Sequence, residues 1–293
     1  MRVGTAFGYD RLTSYIRTAQ SRVQDAQNKV STGKRIETAS DDPTGTRRLL
    51  GLSALRSGIA GYEKNLDTAK AALSSTESAY DDLGDLMGQA RSLAIQGATS
   101  TMDQTGRDAI AAQIGALQDR IVSLGNAQGP DERYLFGGQV TDAKPFAKAA
   151  DGTLVYAGNA TTPSVETGPG ERTQLGETGG PIADAFARLT KLKNSLTGGD
   201  IAAVSKDRLD EIEDSSDAFS ALQGDVGRRL NGIEVTRDAH ARRDEEFSAR
   251  ASEIGEVDYA SAIVDYTAAQ SAYQAALQLA SKGFSMGLMD FIR

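Results

Sequence analysis

The sequence predicts a mainly α fold: an elongated antiparallel helical bundle or coiled coil, with paired N- and C-terminal helices and a small β-rich distal insert. Three observations carry this. From Tyr9, apolar residues recur at Leu12, Ile16, Ala19, Val23, Ala26 and Val30 in alternating steps of three and four. At the other end Ile263, Tyr266, Tyr273, Leu277, Ala280, Phe284 and Phe291 form a matching ladder, with Gln270 and Gly287 at the two remaining places. Such spacing is a heptad seam. Second, Leu52, Leu55, Ile59, Tyr62, Leu66, Ala69, Leu73, Thr76, Tyr80, Leu83, Met87, Ala90, Ala94 and Gly97 hold the same alternation across more than six heptads. Third, the period changes between 131 and 181, where five of the six prolines fall in or at the edges of the window.

A narrow seam on a lone helix needs a partner helix, and the nearest unpaired seam is the other terminus. Residues 1–42 are therefore read as an N-terminal assembly helix and connector, and 255–293 as a C-terminal assembly helix. Held side by side or against neighbouring copies they are helical; in an isolated chain they are expected to be largely unstructured, because heptads without partners are marginal helices in water. Gly33 reads as the stop of the first helix. Ser40-Asp41-Asp42-Pro43 then starts the next, with Asp42 as N-cap and Pro43 at the first position, where a missing N–H costs nothing. A helix of roughly 50 residues follows, about 75 Å long at about 1.5 Å per residue. Gly97 to Thr101 is a turn, and Asp103 caps a shorter helix with the seam Ile110, Ile114, Leu117, Ile121 and Leu124, stopped by Gly129-Pro130. Residues 43–130 are thus a long helix plus an antiparallel neighbour.

The insert, 131–181, holds three short runs with β-formers: Tyr134-Leu135-Phe136-Gly137-Gly138, Leu154-Val155-Tyr156 and Ser164-Val165-Glu166. They are separated by Asp151-Gly152, Gly158-Asn159 and Gly168-Pro169-Gly170. Asp151-Gly152 is a hairpin turn signal. The insert is placed near the distal tip of the helices. Residues 182–254 return as helices. The first has Ile182, Phe186, Leu189, Leu192 and Leu196 and is closed by Gly198-Gly199; the second starts at Asp200 or Ser205 with an imperfect seam through Leu209, Ile212, Phe219, Leu222, Val226, Leu230, Ile233, Phe247 and Ile254. Arg237, His240 and Asp244 sit where apolar residues belong, which means looser packing or register control, at some cost in stability. Gly255 breaks this helix.

Composition excludes several classes. Hydrophobic residues are 39% and aromatics 6%, with no Trp, so the chain buries narrow seams instead of a thick core. The formal charge is −8 with signs interspersed, which gives no nucleic-acid footprint. The basic doublets Arg47-Arg48, Arg228-Arg229 and Arg242-Arg243 read as solvated helix faces or inter-helix ion pairs. There is no cysteine, hence no disulfide, thiol nucleophile or thiolate metal site. No apolar run approaches the roughly 18 residues of a membrane helix, and the N-terminus lacks the apolar core of a Sec signal.

Nothing converges for catalysis. His240, the single histidine, has Asp238 and Asp244 on its own helix, where no nucleophile can join them. Asp41-Asp42 is explained by capping and Asp81-Asp82 by a solvated face. Gly137-Gly138 and Gly168-Pro169-Gly170 lack the context of a phosphate cradle. No catalytic, cofactor-binding or metal residue is assigned, and the chain is read as a non-enzyme.

Four stretches together resemble the bacterial flagellin superfamily, specifically its hook-to-filament junction branch. Val30 to Ile36 followed by Ala39 to Pro43, with Asp41 and Asp42, is similar to the superfamily's N-terminal pattern. Tyr134, Leu135, Phe136, Gly137 and Gly138, with Pro145-Phe146 and Tyr156 to Asn159, are similar to a run typical of the junction branch. Gly227 to Asn231, with Arg228 and Asn231, resembles the turn of the second long helix, and Ser252 to Arg293 the terminal assembly helix. Pro43-Thr44-Gly45 and the basic Arg293 depart from the pattern. The resemblance implies a structural adaptor joining the hook, through a neighbouring hook-associated protein, to flagellin of the filament. It implies copies arranged in a ring, type III export without a cleaved signal, an extracellular site in the flagellum, and a cytoplasmic export chaperone on the C-terminal helix. Membrane and nucleic acid are not expected partners. A short filament flagellin, or a non-flagellar coiled-coil surface or phage-like protein, are the competing readings.

Overall fold

The computed structural model describes residues 2–289, with side chains described from 10 to 282. Its elements in order are α1 (Arg2–Thr32), α2 (Pro43–Gly97), α3 (Gln104–Gly125), β1 (Phe146–Lys148), β2 (Leu154–Tyr156), β3 (Ser164–Gly168), β4 (Glu171–Gln174), α4 (Gly180–Thr197), a short α5 (Ile201–Ala203), a π-helical turn (Val204–Arg208), α6 (Leu209–Gly255) and α7 (Tyr259–Met289). The fold is mainly α, with two small antiparallel sheets, β1-β2 and β3-β4. Contacts divide it into two compact units, Met1–Ser57 with Arg243–Arg293, and Gly58–Arg242.

The long seam of α2 is half-buried at Ile59 and Tyr62 and fully buried from Leu66 on, while Leu55, on the same predicted ladder, is 53% exposed. Leu66, Ala69, Leu73, Thr76, Tyr80, Leu83, Met87, Ala90 and Ala94 on α2 are buried. They face Ile110, Ile114, Leu117 and Ile121 of α3, Ile182, Phe186, Leu189, Leu192 and Leu196 of α4, and Ile212, Phe219, Val226 and Ile233 of α6 in one core. The caps match the sequence logic: Asp103 accepts from the Gly106 N–H at 2.8 Å, and Asp200 from the Ala203 N–H at 3.1 Å.

Helix α3 ends earlier than Gly129-Pro130 suggests. It stops at Gly125 because the Asn126 side chain leaves the helix to hold Phe146, accepting from its N–H at 3.0 Å and donating to its carbonyl at 2.9 Å. The Phe146 ring then lies where a Cβ at Gly125 would be. Three other differences concern the insert. Tyr134 to Gly138 forms no strand; it has isolated bridges to Gln128 and Thr178 and backbone hydrogen bonds with Ala127, Thr141 and Glu177. β1 and β4 are strands that the period-2 pattern does not reveal, since each is recruited by pairing with a neighbour. The insert also lies along the middle of α2 and α6, not at the turn where α2 ends: Phe136 packs on Tyr80 of α2, and Asn65 of α2 donates to the Glu166 carbonyl at 2.7 Å. Asp151-Gly152 does turn the β1-β2 hairpin, with Gly152 at φ 85°.

In the first unit α1 and α7 run antiparallel, joined near Lys34 and Glu256 by an isolated bridge. Gly33 has φ 69°, the left-handed stop that glycine permits, and the Tyr259 ring occupies the space a Cβ would need.

Candidate functional site

The residues predicted for assembly lie on α1 and α7. On α1 the sequence ladder and the contact agree: Leu12, Ile16, Ala19, Val23, Ala26 and Val30 are the half-buried positions between Asp10 and Thr32, and the rest are exposed. The side chains of Tyr9 and Phe284, and Phe291 altogether, lie outside the described residues.

On α7 the helix turns differently from the predicted ladder. Its contact with α1 runs through Ala262, Tyr266, Ala269, Tyr273, Ala276 and Ala280. Ile263 is 50% exposed and Leu277 42% exposed, because Ala262 and Ala276, one residue earlier in each case, take their places. One residue is about 100° of helix rotation, so the large side chains are turned onto the flank of the pair. A stripe rich in alanine lets α7 approach the Leu, Ile and Val seam of α1 more closely than a stripe of large side chains would, which selects the alanine face. The consequence is a helix with two apolar surfaces, a thin alanine one closed by α1 and a bulky one carrying Tyr259, Ile263 and Leu277 that α1 leaves open. Val264 and Leu279 are exposed farther round the helix. This second surface was hidden from sequence reasoning, because a three-four ladder fits both stripes.

The motif residues Asp41 and Asp42 order the connector between α1 and α2. Asp42 caps α2 by accepting from the Gly45 N–H at 2.8 Å, and also receives Arg35 at 3.1 Å. Asp41 accepts from the N–H groups of Thr38 at 2.8 Å and Glu37 at 3.0 Å. The Gly45 N–H, then Arg35, hold the Asp42 carboxyl below the usual range; the Thr38 and Glu37 N–H groups do the same for Asp41. Arg35 reaches the Ile254 carbonyl through Nη2 at 2.7 Å, and its own N–H donates to the Gly255 carbonyl at 2.7 Å. The cap of α2 and the connector before it are thus joined to the end of α6 by an arginine. Asp244 of α6 receives Arg56 at 2.8 Å nearby in the same unit.

In the second unit the run Tyr134 to Gly138 is a packed loop. Leu135 and Phe136 are buried, Tyr134 is half-buried, and Gly138 has φ 64°. Phe136, Tyr80 and Phe219 stack in sequence with ring centroids 5.5 and 6.1 Å apart. The Tyr156 hydroxyl donates to the Phe136 carbonyl at 3.0 Å and accepts from the Gly179 N–H at 3.0 Å. Burial pushes the Tyr80 hydroxyl's pKa well up, with the Glu177 carboxylate adding to it. Of the second motif, Arg228 and Asn231 are exposed, while Arg229 is half-buried and pairs with Glu177 of the loop before α4 and with Asp225 of its own helix.

His240 is 2% exposed, with Nδ1 3.1 Å from Glu63 and its ring against Tyr62. Among the described residues no group of three or more His, Asp or Glu is placed to hold a metal ion, and no helix is long and apolar enough to cross a membrane. What the geometry offers is apolar helix surface on a charged framework, suited to association.

Comparison with known proteins agrees with this geometry. The family model of the bacterial flagellin N-terminal helical region matches residues 5–141. Flagellar hook-associated protein 3 of Salmonella typhimurium is 22% identical, with all of both chains covered. Among solved structures, a flagellar hook-associated protein from Vibrio parahaemolyticus superposes with TM-score 0.67 at 23% identity, covering 74% of this chain and 100% of that one. The flagellar junction protein from Legionella pneumophila superposes with TM-score 0.59 at 13% identity, covering 71% and 99%. Over its whole length the sequence is similar to flagellar hook-associated protein 3 of Salmonella typhimurium, and the fold is that of the solved flagellar hook-associated protein from Vibrio parahaemolyticus.

Proposed function

We propose that this chain is a structural adaptor of the bacterial flagellum, joining the hook to the filament, and that it works through interfaces and not through bond chemistry. The observation that carries the reading is the full-length likeness to hook-associated protein 3, together with the open bulky surface on α7. Copies of the chain pack in a ring through α1 and α7, with Leu12, Ile16, Val23 and Val30 closing the pair and Tyr259, Ile263 and Leu277 facing the next copy. Tyr9, Phe284 and Phe291 extend these stripes by their sequence spacing. A neighbouring hook-associated protein lies on one side of the ring and flagellin on the other. The chain reaches this extracellular site through the flagellar type III system, and a cytoplasmic chaperone covers the apolar surface of α7 beforehand, since an exposed amphipathic stripe is both an aggregation hazard and a helix-in-groove ligand.

The experiment is electron microscopy and a swimming assay on a strain lacking the chain, with and without complementation. Hooks without filaments, flagellin shed into the medium, and restoration by the full-length chain are expected. Normal filaments attached to hooks would overturn the adaptor reading in favour of a redundant flagellin or a coiled-coil protein of another system.

A further inference from the structure

Helices α2 and α6 lie side by side with a charge pattern that repeats by the heptad. On α2, Arg56, Glu63 and Lys70 are seven residues apart and alternate in sign. Each meets an opposite charge on α6: Asp244 at 2.8 Å, Arg237 at 3.3 Å and Glu234 at 2.6 Å. Arg237 also pairs with Asp67, and Glu63 with His240. An apolar heptad seam reads almost the same after a slip of seven residues, so packing alone distinguishes such registers poorly. The charges distinguish them. Sliding α6 seven residues one way sets Glu63 against Asp244 and Lys70 against Arg237; sliding it the other way sets Arg56 against Arg237 and Glu63 against Leu230. We propose that the alternating charges Arg56, Glu63 and Lys70 on α2 and Asp244, Arg237 and Glu234 on α6 are a register key, excluding one-heptad slips of the two long helices.

The native chain has no cysteine, so introduced pairs report register directly. In the folded register Gln223 of α6 reaches Asp81 of α2 at 3.3 Å. Asp81→Cys with Gln223→Cys is the native reporter, and Ser74→Cys or Gly88→Cys with Gln223→Cys reports a slip of seven residues in either direction. Each pair is treated with a short bis-maleimide in the full-length chain. The unmodified charge pattern should link 81 to 223 and give background at 74 and 88. Combining Glu63→Lys with Lys70→Glu makes the native register repulsive, while the slip that sets Glu63 against Asp244 becomes attractive. The 88–223 product should then rise about ten-fold, with 74–223 unchanged. A folded double variant that still links 81 to 223 alone would overturn the proposal. Should the double variant lose its helical circular dichroism, the fourfold variant adding Arg237→Glu and Glu234→Lys decides: recovery of helix and of the 81–223 link supports the key, and continued loss overturns it.

Discussion

In the Tyr134 to Gly138 run, Phe136 and Gly138 sit where the surrounding packing tolerates little change. Phe136 is fully buried between Tyr80 and the insert. Phe136→Ala should destabilise by about 3–5 kcal/mol, read as a lower midpoint in urea, because it removes a ring from a packed site. Gly138 holds φ 64°, and a Cβ there would collide with Asn159 and the Thr161 carbonyl. Gly138→Ala should therefore cost upward of about 1 kcal/mol, from the left-handed backbone alone. At Asp41 and Asp42 the prediction concerns pH. Their folded carboxyls titrate below the ordinary value, so their contribution is complete at and above that value and is lost as pH falls through the lowered ones. Amide protection factors at Glu37, Thr38 and Gly45, taken relative to the intrinsic exchange rate at each pH, should fall on acidification below about pH 4, while Asp42→Asn should remove most of that dependence at Gly45.

At the scale of elements, the alanine seam between α1 and α7 buries little area per residue. Association worth roughly 25 cal/mol per Å² of apolar surface is small for Ala262, Ala269, Ala276 and Ala280. Limited proteolysis of the monomer should cut within 10–32 and 259–282 before it cuts α3 or α4, with both ends protected after assembly. An isolated chain resistant at both ends would contradict this. The caps Asp42 and Asp103 and the stop at Gly33 were legible in the sequence because each acts within a turn, whereas the end of α3 at Gly125 depends on Asn126 reaching the distant Phe146. From Leu66 to Ala94 the seam was legible too, since one stripe of large residues has one way to be buried. On α7 legibility failed at Ile263 and Leu277, where small and large stripes compete and close approach favours the small. The insert was half legible: Asp151-Gly152 announces its hairpin, but β1 and β4 exist only by pairing, and Tyr134 to Gly138 is held by side chains distant in sequence. His240 was placed correctly in the seam, while its partner Glu63 could come only from the fold.

For the molecule as a whole, the decisive prediction separates folding from assembly. Ile263→Glu with Leu277→Glu should leave the monomer's helical signal and midpoint nearly unchanged, because both side chains are largely exposed. In cells it should fail to restore filaments to a strain lacking the chain, while secretion continues. Loss of monomer stability would instead assign these residues to the α1 contact. One feature also makes such experiments easier to follow. His240 is the chain's single imidazole and is wedged between Tyr62 and Glu63 where α2 meets α6. Its ring protons therefore give an NMR signal free of overlap from any other histidine, at a point where both long helices must be in place. The molecule carries a native spectroscopic beacon for the state of α2 and α6, readable without labelling during unfolding or association.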